Sequence, residues 1–470
     1  MKKILTFSLC GLACWVSFTI NSQADSWELK GYTETSWPCV SNVVESFNKL
    51  DIQGDILGFH MNGAPDVTLT KHWQGIQRLQ DNSGQPYLII SRSGEKESAF
   101  VVVKMGSKKN RGGKRLLSNR FLPSVINNTA PPSEDGIEKY VSLGSDYKHA
   151  GGIQLYSNIL VVPLEEGSKS VVQFYNMENP LQPELLPPKV VRGDKSAGTA
   201  SLTKLSNGSY LLAVGGDNAQ PLDFYISNTK DLSDVSTQFS LIYSWTKDEL
   251  FSAPGNDRNW GAYQNIQFVN QCDGRIHLVC TYNDSVISCV ISYKDWADLY
   301  LLEKKGSNGL KLTKVAKKNC HCDTGRLRQC NFDASGGIYE DSTGSLILYS
   351  TEHDNDGPGG TVKFKEFSSE PCCCQNMSEA FVSLYEDRDF VDRMIRITSA
   401  MNISNFEDID FGDKTSSAKW CIPVGHSVIL YQHDTYRGRT LILPGTGKVE
   451  QIANFKDKGF NDETSSLKWQ

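Results

Sequence analysis

Leu430-Tyr431-Gln432-His433-Asp434-Thr435-Tyr436-Arg437-Gly438, followed by Asn461-Asp462-Glu463-Thr464-Ser465-Ser466 and Leu467-Lys468-Trp469, is a pattern that this chain writes twice. The earlier copy runs Leu384-Tyr385-Glu386-Asp387-Arg388-Asp389-Phe390, then Gly412-Asp413-Lys414-Thr415-Ser416-Ser417, then Ala418-Lys419-Trp420. The aromatic, acidic-Ser-Ser and Lys-Trp positions keep their order in both copies. Matched positions of this kind are an internal duplication.

These residues resemble the βγ-crystallin family, over Ala380 to Gln470. The family's aromatic corner (Tyr or Phe, four residues, Tyr or Phe, one residue, Gly) is complete as Tyr431, Tyr436 and Gly438. Its calcium signature (two Asp or Asn, two free positions, Ser or Thr, Ser) is complete as Asn461 to Ser466. The first copy departs twice, with Asp392 at the corner glycine and Gly412 at the first Asp/Asn position. The resemblance implies two Greek keys forming a β-sandwich, with two calcium sites between paired loops. It implies ligands from Glu386, Asp413, Lys414 (by its carbonyl) and Ser416 in the first copy. From the second it implies Gln432, Asp462, Glu463 (by its carbonyl) and Ser465. Ca²⁺ is a hard cation that takes about six to eight oxygens, and carboxylates, hydroxyls and carbonyls supply them.

Upstream, between Lys71 and Glu370, a longer unit repeats five times. Each repeat has a Gly-rich first strand, a strongly apolar second strand and a β-rich third. The first strands begin at His72, His149, Gly198, Tyr263 and Ala334. The second are PYLIIS from Pro86, NILVVP from Asn158, SYLLAV from Ser209, RIHLVC from Arg275 and SLILYS from Ser345. Small sheets repeated at this spacing, each burying its faces on its neighbours, are the logic of a β-propeller. Fourth strands are expected at KRLLSNRF (114–121), PELLPPKVV, TQFSLIYSW and KLTKVAKK, and VISCVISY (286–293) is expected as the third strand of the fourth repeat. The last repeat lacks a fourth strand, and Trp27–Thr33 is expected to return and fill it. The fold expected is all-β: a five-bladed propeller over 25–370, a Cys-rich linker over 371–379 and the duplicated module over 380–470. A six- or seven-bladed ring, or a pair of sandwiches, is the alternative.

Lys2-Lys3, the apolar stretch Ile4–Phe18 and Ser22-Gln23-Ala24 make residues 1–24 a secretory signal peptide. That apolar run is short of the ~20 residues of a membrane span. Cleavage removes two of the 13 cysteines and two lysines, leaving 46 basic against 54 acidic residues and a charge of −8. An acidic exported chain is not a general nucleic-acid binder. In an oxidising compartment most of the remaining cysteines should pair, and the odd number leaves one over. Cys320, Cys322 and Cys330 with His321 offer zinc-type ligands, but they lack paired C-x2-C spacing, so disulfides are the better expectation.

A propeller hosts both lectins and glycosidases, so the fold alone decides nothing. The expected channel lining is polar and mostly neutral: His72, Gln74, Gln77, His149, Gln154, Gln264 and Gln267. Glycoside hydrolysis needs two facing carboxylates, and the only candidates beside the first strands are Asp146 and Asp333. Glu165, Asp217 and Glu352-His353-Asp354 fall in loops that share one rim. Trp73 can stack on a sugar or fill the core. The reading is a secreted protein with Ca²⁺ as cofactor and a non-catalytic propeller module for carbohydrate or a surface protein. Its alternatives are a glycoside hydrolase and a calcium-stabilised adhesion protein.

Overall fold

A computed structural model describes residues 27–33, 39–52, 54–60, 72–105, 136–251, 260–287, 291–306, 309–320, 322, 330–341, 344–353, 361–368, 377, 380–388, 394–398 and 401–470. The signal peptide expected at 1–24, the strand expected at 114–121, His321, the cysteine triplet 372–374 and Asp392 lie outside them. The described chain is all-β, with several antiparallel sheets.

After β1 (Asp55–His60), the first sheet is β2 (Trp73–Gln80), β3 (Pro86–Arg92), β4 (Ala99–Lys104) and β5 (Gly136–Ser142). The second holds β6 (His149–Ala150), β7 (Gln154–Tyr156), β8 (Ile159–Glu166), β9 (Lys169–Asn176) and β10 (Glu184–Val191). The third is β11 (Thr199–Lys204), β12 (Tyr210–Gly215), β13 (Leu222–Ser227) and β14 (Phe239–Trp245). The fourth is β15 (Asn265–Asn270), β16 (Ile276–Ile287), β17 (Ile291–Lys305) and β18 (Gly309–Cys320). The fifth is β19 (Gly337–Glu340), β20 (Leu346–Thr351) and β21 (Thr361–Ser368), completed by β1, which pairs antiparallel with β21 from Asp55↔Glu366 to His60↔Thr361; one parallel bridge, His60↔Gly136, also joins β1 to β5, so the first and fifth sets of strands run on as one eight-stranded sheet.

Side chains alternate across each strand, so each sheet feeds two cores. In β3, Leu88 and Ile90 join Trp73, Phe59 and Phe364 in a core shared by the first and fifth sheets. Tyr87 and Ile89 point the other way, into a core shared with Leu160, Val162 and Leu164 of the second sheet. Similar cores lie between the second and third, third and fourth, and fourth and fifth sheets. Strands buried on both faces read as continuous apolar runs, which is why PYLIIS and SYLLAV stand out in the sequence.

The first strands approach one another closely. A Cβ on Gly75 would come within 2.3 Å of the Ile153 nitrogen, and one on Gly337 within 1.7 Å of the Ile76 carbonyl oxygen. Glycine is therefore a spatial requirement at both positions. Hydrogen bonds cross between sheets at the same level: Gly152 N–H to the Gly198 carbonyl (2.8 Å), Ile266 N–H to Thr199 Oγ1 (3.0 Å) and Trp73 N–H to the His353 carbonyl (3.2 Å). Trp73 itself is fully buried, so it belongs to the core.

Three expectations are corrected. The fourth strand of the first sheet is Gly136–Ser142, paired with β4. The strand that completes the last sheet is Asp55–His60; Trp27–Thr33 instead runs beside the third and fourth sheets, where Gly31 bridges Leu205 and donates to the Gly274 carbonyl at 2.8 Å. Of VISCVISY, Val286 and Ile287 end β16 and Ile291 to Tyr293 begin β17, residues 288–290 lie outside the described ones, and the third strand of that sheet extends to Lys305. The β-branched run of VISCVISY suits a hairpin arm as well as a sheet strand.

At the end of β19, Glu340 Oε1 accepts the Asn270 N–H at 3.3 Å. Burial drives the Glu340 carboxyl up to about 8, only partly opposed by that hydrogen bond. The folded state thus holds a proton that the unfolded chain releases near pH 4.5, so stability falls as pH rises from there to about 8. Glu340→Gln should flatten that part of the curve. A Tm series over pH 4.5–8.5 with identical slopes in both proteins would refute this assignment.

Two disulfides, Cys39–Cys272 and Cys322–Cys330, lie among the described residues, while Cys280 and Cys320 are free and buried. Cys322 and Cys330 thus form a disulfide rather than a zinc site. Such bonds are consistent with an extracellular protein. Among the described residues no helix is long and apolar enough to cross a membrane.

The C-terminal part has two sheets. One is β22 (Phe381–Tyr385), β23 (Met394–Thr398), β24 (Ser417–Cys421) and β27 (Val449–Ile452), in the order β23-β22-β24-β27; the other is β25 (Ser427–His433), β26 (Arg437–Pro444) and β28 (Ser466–Trp469), in the order β26-β25-β28. The copies exchange segments: β27 of the second pairs with β24 of the first, and Ile403 of the first bridges Leu467 of the second. Phe406, Phe411, Trp420, Phe455 and Phe460 fill one shared core.

Candidate functional site

In the C-terminal part each copy places a short 3-10 helix, Phe406–Ile409 or Phe455–Lys458, before its Ser-Ser loop. The loops then face each other across an approximate twofold. Asp413 N–H donates to the Thr464 carbonyl (3.1 Å), and Asp462 N–H to the Thr415 carbonyl (3.0 Å). Both aspartates sit in the left-handed region, at φ 51° and 53°, which Asp tolerates better than most residues because its short side chain bonds locally.

That backbone crossing sends each carboxylate to the other copy's serine. Ser465 Oγ lies 2.7 Å from Asp413 Oδ1 and donates to the Gln432 carbonyl at 2.8 Å. In the mirror position Ser416 Oγ lies 3.0 Å from Asp462 Oδ1. The corner strands fix the serines: Ser416 N–H donates to the Tyr385 carbonyl (2.8 Å) and Ser465 N–H to the Tyr431 carbonyl (2.9 Å). Glu386 and Gln432 are the residues next along the chain from those tyrosines. Lys414 and Glu463 turn their side chains elsewhere, to Asp410 and Arg439. Each cluster therefore gathers a carboxylate and a hydroxyl, and at Gln432 a backbone carbonyl as well. Among the described residues no group of three His, Cys, Asp or Glu has metal-centre spacing; these clusters are of another kind, one carboxylate each with neutral oxygens.

The solved structures that resemble this part are βγ-crystallin domains. One, solved in work on the evolution of the eye lens βγ-crystallin fold, is 20% identical, covers 20% of this chain and 89% of its own, and has a TM-score of 0.18. The N-terminal domain of protein S is 18% identical, with 19% and 96% covered and a TM-score of 0.16. A βγ-crystallin domain from Flavobacterium johnsoniae is 22% identical, with 19% and 92% covered and a TM-score of 0.15. No protein-family model and no curated protein matches the chain.

Upstream of the crystallin-like part, a cavity of about 300 Å³ opens where the five sheets meet. The first sheet contributes His72 and Gln74, the second His149 and Glu165, and the fifth Asp333 and His353. Gly198, Gly216, Asp217 and Asn218 come from the third sheet, and Tyr263 and Gln264 from the fourth. The His72 ring stacks on His353, with centroids 4.5 Å apart and planes within 13°, and lies 6.1 Å from His149. His149 Nδ1 is 2.9 Å from Glu165 Oε1, and Glu165 Oε2 accepts the Ala197 N–H at 2.7 Å. Burial pushes the Glu165 carboxyl up, but His149 and the Ala197 N–H more than offset this and hold it below the ordinary glutamate range. Glu165 is thus a fixed anion, suited to accepting hydrogen bonds and unsuited to donating a proton.

Tyr263 is buried, its hydroxyl 2.6 Å from Asp298 Oδ2 and 2.7 Å from the Tyr300 hydroxyl. Burial, with Tyr300 and Asp298 adding to it, raises its phenol well above the usual value. Gln264 Nε2 reaches Asn218 Oδ1 at 3.3 Å. Among the described residues the lining holds three carboxylates, three imidazoles and three amides, with no lysine or arginine.

Of the two carboxylates singled out from the sequence, Asp333 lies on this lining and Asp146 does not; Asp146 is exposed in the turn before β6. His72, Gln74, His149 and Gln264 line the cavity as expected, whereas Gln77, Gln154 and Gln267 are spent on bonds between strands. Glu165, Asp217 and His353 had been read only as rim residues.

Proposed function

We propose that the chain is an exported calcium-binding protein with two functional parts, a five-bladed propeller over 25–370 and a calcium module over 380–470. Residues 371–379 link them, and 1–24 direct export. The observation that carries the calcium reading is the reciprocal crossing of Asp413 with Ser465 and Asp462 with Ser416. Oxygen donors of mixed charge brought together from two loops fit a hard cation. One site would be held by Asp413, Ser465 and the Gln432 carbonyl, the other by Asp462, Ser416 and the Glu386 carbonyl, with the Lys414 and Glu463 carbonyls completing them. Bound calcium supplies the charge that lets four loop segments sit together. Calorimetric titration of the full chain should show two calcium sites with a rise in Tm. No heat and no rise at millimolar calcium would overturn the reading.

The propeller reading rests on five sheets with a shared core between each adjacent pair, the fifth and first included. Among the described residues its cavity offers hydrogen-bond acceptors and donors without a lysine or arginine. That lining suits a neutral carbohydrate and disfavours anionic sugars, whose carboxylates would meet Glu165, Asp217 and Asp333. A surface protein presenting such a glycan is the partner this implies. On a glycan array, Glu165→Gln and Asp333→Asn should each weaken binding at least about tenfold, the scale of one charged hydrogen bond. Asp146→Asn should leave it unchanged. Turnover of a glycoside that Asp333→Asn abolishes would move the assignment to a hydrolase. Equal binding by all three variants would remove the cavity from consideration.

A further inference from the structure

The two Ser-Ser loops follow one backbone path, and from Asn405 to Ser417 against Asn454 to Ser466 they differ at five positions: Glu407/Lys456, Ile409/Lys458, Asp410/Gly459, Gly412/Asn461 and Lys414/Glu463. Asn405 and Asn454 cap the paired 3-10 helices, each accepting a backbone N–H at 3.0 Å from the residue two places on, Glu407 and Lys456 respectively. Phe411 and Phe460 then enter the shared core, and Asp413 and Asp462 follow with the same left-handed backbone. Between these anchors, the pair Glu407 and Gly412 in the first copy stands where the second has Lys456 and Asn461.

Gly412 has no positive φ to account for it. What it lacks is room: a Cβ there would come 2.3 Å from Glu407 Oε1 and 2.7 Å from the carboxyl carbon. In the second copy the corresponding side chain is present, and Asn461 Nδ2 donates to Asp462 Oδ2 at 2.5 Å. The first copy has thus lost a polar side chain at 412 and filled the space with a carboxylate from 407. The nearby Lys414 ammonium does not neutralise it, because Lys414 is bound to Asp410 at 2.5 Å.

We infer that Glu407 takes over in space the missing first residue of the calcium signature, as a positioning and charge-supplying residue for the site that contains Asp413. The inference rests on the calcium reading above. It makes the two sites unequal: the Asp413 site has an additional anion beside its loop, and the Asp462 site has an amide and the ammonium of Lys456 at the matching places. Asn461 meets Asp462 through an N–H that a carboxylate cannot supply, so what Glu407 adds beside Gly412 is charge, and the site it stands beside is the tighter one.

The test is calcium titration of the full chain by calorimetry, with Asp413→Ala and Asp462→Ala identifying each site by its loss. Glu407→Gln should weaken the Asp413 site about fivefold, from a unit charge lost several ångströms from a divalent ion. It should leave the Asp462 site and the calcium-free Tm unchanged. Glu407→Lys, which copies the second half, should weaken it further, and Glu407→Lys with Gly412→Asn should recover part of that loss. Unchanged affinities at both sites in Glu407→Gln and Glu407→Lys overturn the inference while leaving the calcium reading intact. Absence of any calcium heat in the unsubstituted chain overturns the calcium reading itself, and the inference with it.

Discussion

Gln154→Leu is expected to destabilise the five-sheet part by about 4 kcal/mol, because it orphans buried backbone groups that cannot reach water. The Gln154 side chain is 4% exposed. Its oxygen accepts the N–H groups of Leu202 (3.0 Å) and Phe268 (3.1 Å) and the Ser201 hydroxyl, while its nitrogen donates to the Phe268 carbonyl at 2.8 Å. One amide thus joins β7, β11 and β15, from three sheets. Phe268 N–H keeps Ser201 Oγ at 2.8 Å as a second acceptor. The Leu202 N–H and the Phe268 carbonyl lose this partner, each at about 1–3 kcal/mol. Calorimetry should show the main transition falling by about 6 °C, because an unfolding entropy of about 0.7 kcal/mol/K for about 350 residues makes each kcal/mol about 1.4 °C. Gln264→Leu, in the cavity wall, should shift it by no more than about 2 °C. A Gln154→Leu protein within 2 °C of the unsubstituted chain would mean that the amide is a bystander.

The second large effect is the loss of calcium stabilisation. With calcium a hundredfold above Kd, each site adds about 2.7 kcal/mol to the folded state. Asp413→Ala should remove one increment, Asp462→Ala the other, and the double variant both. In chelator each variant should melt slightly below the unsubstituted chain, because alanine at φ 51° or 53° is strained by about 1–2 kcal/mol, and the calcium increment is read as the further difference on adding the ion. Thermal melts with and without millimolar calcium separate these contributions. A double variant that still gains Tm with calcium would place the ion elsewhere.

The pairing of Asp413 with Ser465 and of Asp462 with Ser416 was legible because the motif is local. A signature of six residues fixes both loops, and duplication supplies the partner. The five first strands were legible for a related reason: glycine at the points of closest approach and apolar runs in the strands behind them are direct imprints of packing. What escaped were the outermost strands. Gly136–Ser142 has almost no buried position, so no hydrophobic pattern marks it. Trp27–Thr33 alternates more cleanly than Asp55–His60, yet loses to it because Phe59 fits between Trp73 and Phe364. The cavity was half legible. His72 and His149 begin repeats, so the repeat frame places them; Glu165 and His353 end strands of different sheets, and only the pairing of those sheets sets them beside the same opening.

The pairing of β1 with β21 also has a consequence in time. Strands β2 to β18 meet partners made close to them in sequence, so those sheets can assemble in the order in which the ribosome delivers them. Asp55–His60 must wait for Thr361, some 300 residues later, which at 5–20 residues per second is about 15–60 s of synthesis. Throughout that interval β1 has only its single parallel bridge to Gly136 on β5, and its other edge stays unpaired until β21 is made.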